Sequence, residues 1–91
     1  NFSNVVDQHY TSLIEAFPVP VTSTLQVMIN EPFGRYWDYT LTDIAGQKIL
    51  SGTCTRPYNL LGLGHLQAGV YNMLVVFENS KQKHVLRIIK N

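Results

Sequence analysis

Tyr36-Trp37-Asp38-Tyr39-Thr40-Leu41-Thr42-Asp43-Ile44-Ala45-Gly46-Gln47-Lys48-Ile49-Leu50 reads as two strands and the turn that joins them. Trp37, Tyr39 and Leu41 fall on one side of the first half, and Tyr36, Asp38, Thr40 and Thr42 on the other. That period of two belongs to a strand with one core face and one wetter face. Asp43-Ile44-Ala45-Gly46 then fits a type I turn. The Asp43 carboxylate accepts backbone hydrogen bonds there, and Gly46 takes the positive φ that lets the next strand start antiparallel.

Working outward, the same period recurs nearly everywhere, and no window longer than about ten residues carries a helical i, i+3, i+4, i+7 stripe. Strands are predicted at His9 to Phe17, Thr24 to Asn30, Tyr36 to Asp43, Gln47 to Gly52, Pro57 to Leu61, Val70 to Glu78 and Gln82 to Lys90. Leu25, Val27 and Ile29 alternate with Thr24, Gln26 and Asn30, Met28 being the apolar exception on the outer side. Phe17-Pro18-Val19-Pro20 is extended, and its two prolines lack amide donors, so it stays out of a central ladder. Gly62, Gly64 and Gly69 lie among leucines in a connection that should cover one end of the core, and Asn79-Ser80-Lys81 should turn the chain between the last two strands. About seven short strands with turns between them predict an all-β antiparallel sandwich.

The bulk properties set limits on function. A chain of 91 residues is one domain's worth, and 45% hydrophobic with 14% charged residues is the composition of a packed core. Seven Lys/Arg against six Asp/Glu leave a net charge of +1, so neither nucleic acid nor an anionic membrane is attracted by global charge. The opening at Asn1 has neither Met nor an apolar leader, so the chain is expected to be a piece of a longer protein. Residues Asn1 to Gln8 read as the linker to whatever precedes, with the domain proper at 9–91.

No residue pattern calls for catalysis or a cofactor. His9, His65, His84 and Cys54 lack zinc-ligand spacing, and Cys54 between Thr53 and Thr55 has neither a glycine elbow nor a helix N-terminus to activate it. Asp7, Glu15, Glu31, Asp38, Asp43 and Glu78 are isolated in sequence, each with an ordinary turn or outward-strand explanation. The glycines from Gly62 to Gly69 lead into a strand, not into a phosphate-binding helix. Tyr36, Trp37 and Tyr39 have the flat rings of a sugar platform, but core packing accounts for Trp37 and Tyr39 and leaves Tyr36 as the exposed candidate. The last eleven residues differ in kind: Lys81, Lys83, Arg87 and Lys90 stand there with His84 and no acid. Lysines that keep an edge strand from pairing with other chains are the ordinary explanation.

Three segments together resemble the C-terminal sorting domain of the type IX secretion system of Bacteroidetes. Phe17-Pro18-Val19-Pro20 is similar to that family's aromatic-Pro-Asn-Pro opening, and Tyr39 to Leu50 resembles its Asp-x-x-Gly-Lys hairpin. Leu66-Gln67-Ala68-Gly69-Val70-Tyr71, followed by an apolar strand and by Lys83-His84-Val85-Leu86-Arg87-Ile88-Ile89-Lys90-Asn91, is similar to its Leu-x-x-Gly-x-Tyr segment and basic terminal strand. Val19 replaces the usual Asn, and Gln47 stands where Lys or Arg is frequent.

The resemblance implies an immunoglobulin-like sandwich of about seven strands and a non-catalytic role without a cofactor. It implies a signal that takes an upstream cargo domain through the periplasm and the outer-membrane translocon to the cell surface. A sortase-like peptidase would remove the domain and link the cargo to anionic lipopolysaccharide. Lys83, Arg87 and Lys90 are then the expected recognition charges, with Gly46 and Gly69 shaping the loops and Pro18 and Pro20 the opening segment. Self-association through edge strands is a further expectation. The competing reading is an immunoglobulin-like module that binds carbohydrate or protein for a secreted enzyme, using Tyr36 or Trp37.

Overall fold

A computed structural model describes residues 14–17 and 20–91. Seven strands occur among the described residues: β1 (Ile14–Phe17), β2 (Thr24–Ile29), β3 (Trp37–Asp43), β4 (Lys48–Cys54), β5 (Tyr58–Gly62), β6 (Gly69–Phe77) and β7 (Lys83–Lys90). They form a three-stranded sheet, β1-β2-β5, and a four-stranded sheet, β4-β3-β6-β7, with every neighbouring pair antiparallel. The chain passes between the sheets from β2 to β3, β4 to β5 and β5 to β6, which is the connectivity of an immunoglobulin-like sandwich.

Alternation decides which side chains meet between the sheets. β6 places Tyr71, Met73, Val75 and Phe77 inward, and β7 adds Leu86 and Ile88. Across the layer stand Ile14 and Ala16 from β1, Leu25, Val27 and Ile29 from β2, and Leu61 from β5. Trp37 lies wholly inside, its indole N–H donating to the Arg56 carbonyl at 2.6 Å. The β4–β5 connection is thereby fastened over the ring, which satisfies the indole's one polar atom.

The hairpin that decided the fold forms as its chemistry requires. Asp43 Oδ1 accepts from the amides of Ala45 at 3.0 Å and Gln47 at 2.9 Å, and the Gly46 amide donates to the Asp43 carbonyl at 3.0 Å. Gly46 has φ 86°, in the left-handed region where a side chain is strained. Just beyond the turn a bulge breaks the alternation: Leu41 pairs with Leu50 and Thr42 with Lys48, leaving Ile49 unpaired. Ile49 and Leu50 therefore both pack against the core. Further along, Tyr39 lies across from Gly52, and a Cβ there would come within 2.5 Å of the Tyr39 hydroxyl oxygen. The glycine makes room for the ring.

The strand ends differ from expectation in informative places. β4 runs two residues further, to Cys54, and β5 extends to Gly62. Leu60, expected among the anchors over the core, is 53% exposed, because it lies on the outer face of β5, while Leu61 and Leu63 point in. Tyr36 lies outside β3, although its carbonyl is held by the Glu78 amide at 3.0 Å. The expected strand from His9 is described only from Ile14, its earlier part and the linker Asn1 to Gln8 lying outside the described residues.

Candidate recognition surface

The fold assembles the Leu-x-x-Gly-x-Tyr segment and the Asp-x-x-Gly turn at the ends of two strands. Tyr71 is nearly buried, and its hydroxyl donates to the carbonyl of Gln67, four residues earlier, at 2.7 Å. This is the tyrosine corner of immunoglobulin-like sandwiches: a ring in the core whose hydroxyl fastens the connection leading into its own strand. Leu66, half-buried against the core, holds the start of that connection, and Gly69 opens β6 opposite Lys90. The Leu-x-x-Gly-x-Tyr spacing is thus a device for closing the β5–β6 connection onto the core.

The same end of the molecule carries the β3–β4 turn, because Asp43 pairs with Tyr71 across the sheet. Gly46 and Gly69 consequently shape neighbouring loops. Between the loops lies an open recess of about 450 Å³, with Asp43, Ile44, Ile49, His65, Leu66 and Tyr71 in its wall. Ile44, at the tip of the turn, is 81% exposed.

Phe17 belongs to the three-stranded sheet, whereas Val21 makes a parallel bridge to Lys90 of the four-stranded one. Phe17 and Val21 therefore sit on different sheets. Pro20 is exposed, and Pro18 and Val19 lie outside the described residues. The Val21 amide donates to the Ile89 carbonyl at 2.8 Å and the Asn91 amide to the Val21 carbonyl at 2.9 Å, so the residue after the opening motif is fastened to the end of β7.

The basic residues of β7 do not form one row. Lys83 is exposed and Arg87 half-buried, both on the solvent side, while Lys90 has the opposite parity and is only 7% exposed. Its ammonium donates to the Asn91 carbonyl at 2.7 Å. The expected exposed triad is thus a pair, since position 90 shares the inward side with Leu86 and Ile88.

Apolar side chains accompany that pair. Strand register sets Val76 beside Lys83, Leu74 beside Val85, Asn72 beside Arg87 and Val70 beside Ile89, all on the solvent face. Val85 and Ile89 are each 38% exposed. The β3–β4 half of the same face is polar, with Asp38, Thr40 and Thr42 across from Thr53, Ser51 and Lys48. Reading the basic residues as charges alone misses this apolar component. It was visible in the sequence as Val85-Leu86-Arg87-Ile88-Ile89, where apolar residues occupy both parities of one strand.

The remaining titratable groups are scattered. Among the described residues no three His, Cys, Asp or Glu side chains are grouped so as to hold a metal ion. Cys54 Sγ faces the Arg56 carbonyl at 3.4 Å. Glu78 binds the Arg35 amide at 2.9 Å and its guanidinium at 3.6 Å, and the amide hydrogen bond foremost lowers its pKa. His84 has a ring 4.9 Å from that of Phe77 and a buried Nε2 without a hydrogen-bond partner. Burial lowers the His84 pKa, and the charge of Glu31 works against that shift. Trp37, one of the two aromatics on which glycan binding was read, is wholly buried.

An immunoglobulin-like sandwich with a fastened C-terminal strand and a basic, apolar outer strip is the class of domain these features define. The chain belongs to the secretion system C-terminal sorting domain family, the sorting tails of type IX secretion, whose family model matches residues 15–91. Membership implies a secretion-signal role, interaction with the type IX machinery, and export to the cell surface or beyond. A comparison with the curated proteins returned no significant match.

Proposed function

We propose that this domain, spanning residues 9–91 behind a linker at 1–8, is the address that takes an upstream cargo through the periplasm and the type IX translocon to the cell surface. The family match over 15–91, which takes in the hairpin, the tyrosine-corner segment and the basic last strand, is the observation that carries this reading. The domain is substrate, not enzyme. A sortase-like peptidase cuts before it and passes the cargo to anionic lipopolysaccharide.

In this reading the translocon recognises the folded surface around β7. Lys83 and Arg87 supply exposed charge. Lys90 ties down the chain end, Gly46 and Gly69 permit the two loops at the recess, and Pro18 and Pro20 belong to the opening segment that the machinery reads.

The test is a fusion of residues 1–91 to a periplasmic reporter in a host with this secretion system. Surface delivery of the fusion is expected, and retention of a correctly folded fusion in the periplasm would refute the reading. Deleting Lys81 to Asn91 is the weaker experiment. It removes Leu86 and Ile88, both fully buried, and each such loss costs about 2–5 kcal/mol, a large part of a small domain's stability. Failed export of that variant would report unfolding as readily as a lost signal.

A further inference from the structure

Among the described residues four strands stand at sheet edges, β1 and β5 in one sheet and β4 and β7 in the other. Three of these edges are blunted against pairing: β1 has only four residues, β4 has Lys48 and the bulge at Ile49, and β7 has Lys83 and the clasp at Val21. Tyr58 to Gly62 of β5 holds no charge, no proline and no bulge. In its ladder with β2 the Ile29 amide donates to the Pro57 carbonyl at 2.7 Å and the Leu63 amide to the Ser23 carbonyl at 2.6 Å. Hydrogen-bonded pairs alternate along an antiparallel ladder, so Pro57, Asn59, Leu61 and Leu63 turn their backbone groups toward β2. Tyr58, Leu60 and Gly62 turn theirs to the free side. Pro57 does not protect that side, because the amide it lacks would face β2.

The sandwich sets three strands over four, which leaves one strand of the larger sheet without a counterpart. Burial identifies it as β4. No residue of β4 is buried, whereas β3, β6 and β7 each bury two or more apolar side chains. Leu50 and Cys54, on the inward side of β4 opposite Leu41 and Trp37, are only half-buried against the core. Cys54 Sγ lies 3.9 Å from the Tyr58 carbonyl, so that inward side runs beneath the free edge of β5. An open groove of about 500 Å³ lies there, with Thr53, Cys54, Tyr58, Asn59 and Leu60 in its wall. Unpaired backbone groups above and half-covered apolar side chains below are what an added strand would satisfy together.

We propose that β5 takes up an extended segment of an export-machinery protein as an eighth strand. The segment's backbone pairs with the amides and carbonyls of Tyr58, Leu60 and Gly62, which span about 13 Å, so about five residues suffice. Its side chains opposite Asn59 and Leu61 point inward over Leu50 and Cys54, and apolar residues belong at those two positions. Arg56 is the one charged residue in the groove's wall among the described residues, so backbone pairing and apolar contact, not charge, select the segment. A second copy does not fit. Joined antiparallel through β5, it would bring its own four-stranded sheet to the side where β4 already projects. The proposal rests on the sorting reading, which supplies the partner, and adds a contact made through the backbone.

The test uses the same reporter fusion, comparing wild type with Leu60→Pro and Leu60→Thr. Leu60 is 53% exposed and its amide faces away from β2, so proline there removes no ladder bond, while threonine changes the side chain and keeps the amide. Leu60→Pro is expected to reduce surface delivery roughly tenfold or more, whereas Leu60→Thr delivers as wild type. Melting curves confirm that the variants fold. Should Leu60→Pro fail to fold, Gly62→Pro takes its place at the strand end, where an added Cβ has no atom within 4 Å. A photo-crosslinker at position 60 is expected to label one extended segment of an envelope protein, and a proline placed in that segment should lower delivery of the wild-type fusion.

Wild-type delivery of a folded proline variant would overturn the strand-addition proposal and leave the sorting reading standing. An equal loss in Leu60→Thr would overturn it too, because the Leu60 side chain and not the backbone would then be what is read. So would crosslinking to a second copy or to residues 1–13 of the same chain. Failure of the wild-type fusion itself to reach the surface would remove the sorting reading and this proposal with it.

Discussion

Replacing Tyr71 by Phe isolates one hydrogen bond on which a whole connection depends. The ring is 8% exposed and stays in the core, so the substitution removes only the hydroxyl that holds the Gln67 carbonyl at 2.7 Å. A net protein hydrogen bond is worth about 0.5–1.5 kcal/mol, and this one lies partly shielded from water, which puts the expected loss near 1 kcal/mol. For 91 residues, an unfolding entropy of about 2.1 cal/mol/K per residue gives roughly 0.19 kcal/mol/K, so Tm should fall by about 5 °C. In urea, with a slope of about 1 kcal/mol/M, the midpoint should fall by about 1 M at unchanged slope. Tyr71→Ala removes the ring as well and should cost about 3–5 kcal/mol. Paired urea titrations of the three proteins measure both terms. A Tyr71→Phe variant that melts within about 1 °C of wild type, or one as damaged as Tyr71→Ala, would refute the account of the motif as a fastening.

Substitutions at four other positions have expected outcomes. Gly46→Ala puts a side chain at φ 86° and should destabilise by about 1 kcal/mol, whereas Lys81→Asn, at φ 59° in the β6–β7 turn, should stabilise by about 0.5 kcal/mol, since Asn tolerates that conformation better than Lys; thermal melts of both check the opposite signs. Trp37→Phe loses volume in the core and leaves the Arg56 carbonyl without its 2.6 Å donor, costing about 2–3 kcal/mol by urea titration. In acid, His84 governs the first loss. Its folded pKa lies below the ordinary 6.5, so the unfolded chain takes up the proton more readily, and stability complete above that value falls as pH drops through it. His84→Phe should flatten the decline in Tm that sets in as pH falls below about 6.5. Glu78, also lowered, adds its own loss only as pH falls below 4.5.

The fold was legible because its signals are local. Alternation in Tyr36 to Thr42, a carboxylate at Asp43 and a glycine at Gly46 decide strand, turn and strand without reference to the rest of the chain. The six strands from β2 to β7 were placed by such signals, their ends shifting by a residue or two, and the first was placed at its C-terminal end, its predicted start lying outside the described residues. The bulge at Ile49 and the accommodation of Tyr39 by Gly52 were not legible, because each depends on which residue lies across the ladder.

For the recognition surface the sequence determined composition, and tertiary structure determined geometry. That the last strand is basic, and that Leu-x-x-Gly-x-Tyr precedes it, can be read from the chain. That Val21 clasps Ile89 and Asn91 could not, because these contacts join residues the sequence keeps apart, and that Tyr71 is a corner could not, because it requires the ring to be buried between the sheets. The division among Lys83, Arg87 and Lys90 follows from strand parity, but which parity faces water is fixed only when β7 pairs with β6 over the core. Pairing buried Lys90 and left Lys83 and Arg87 among valine, leucine and isoleucine, turning a row of charges into an amphipathic strip.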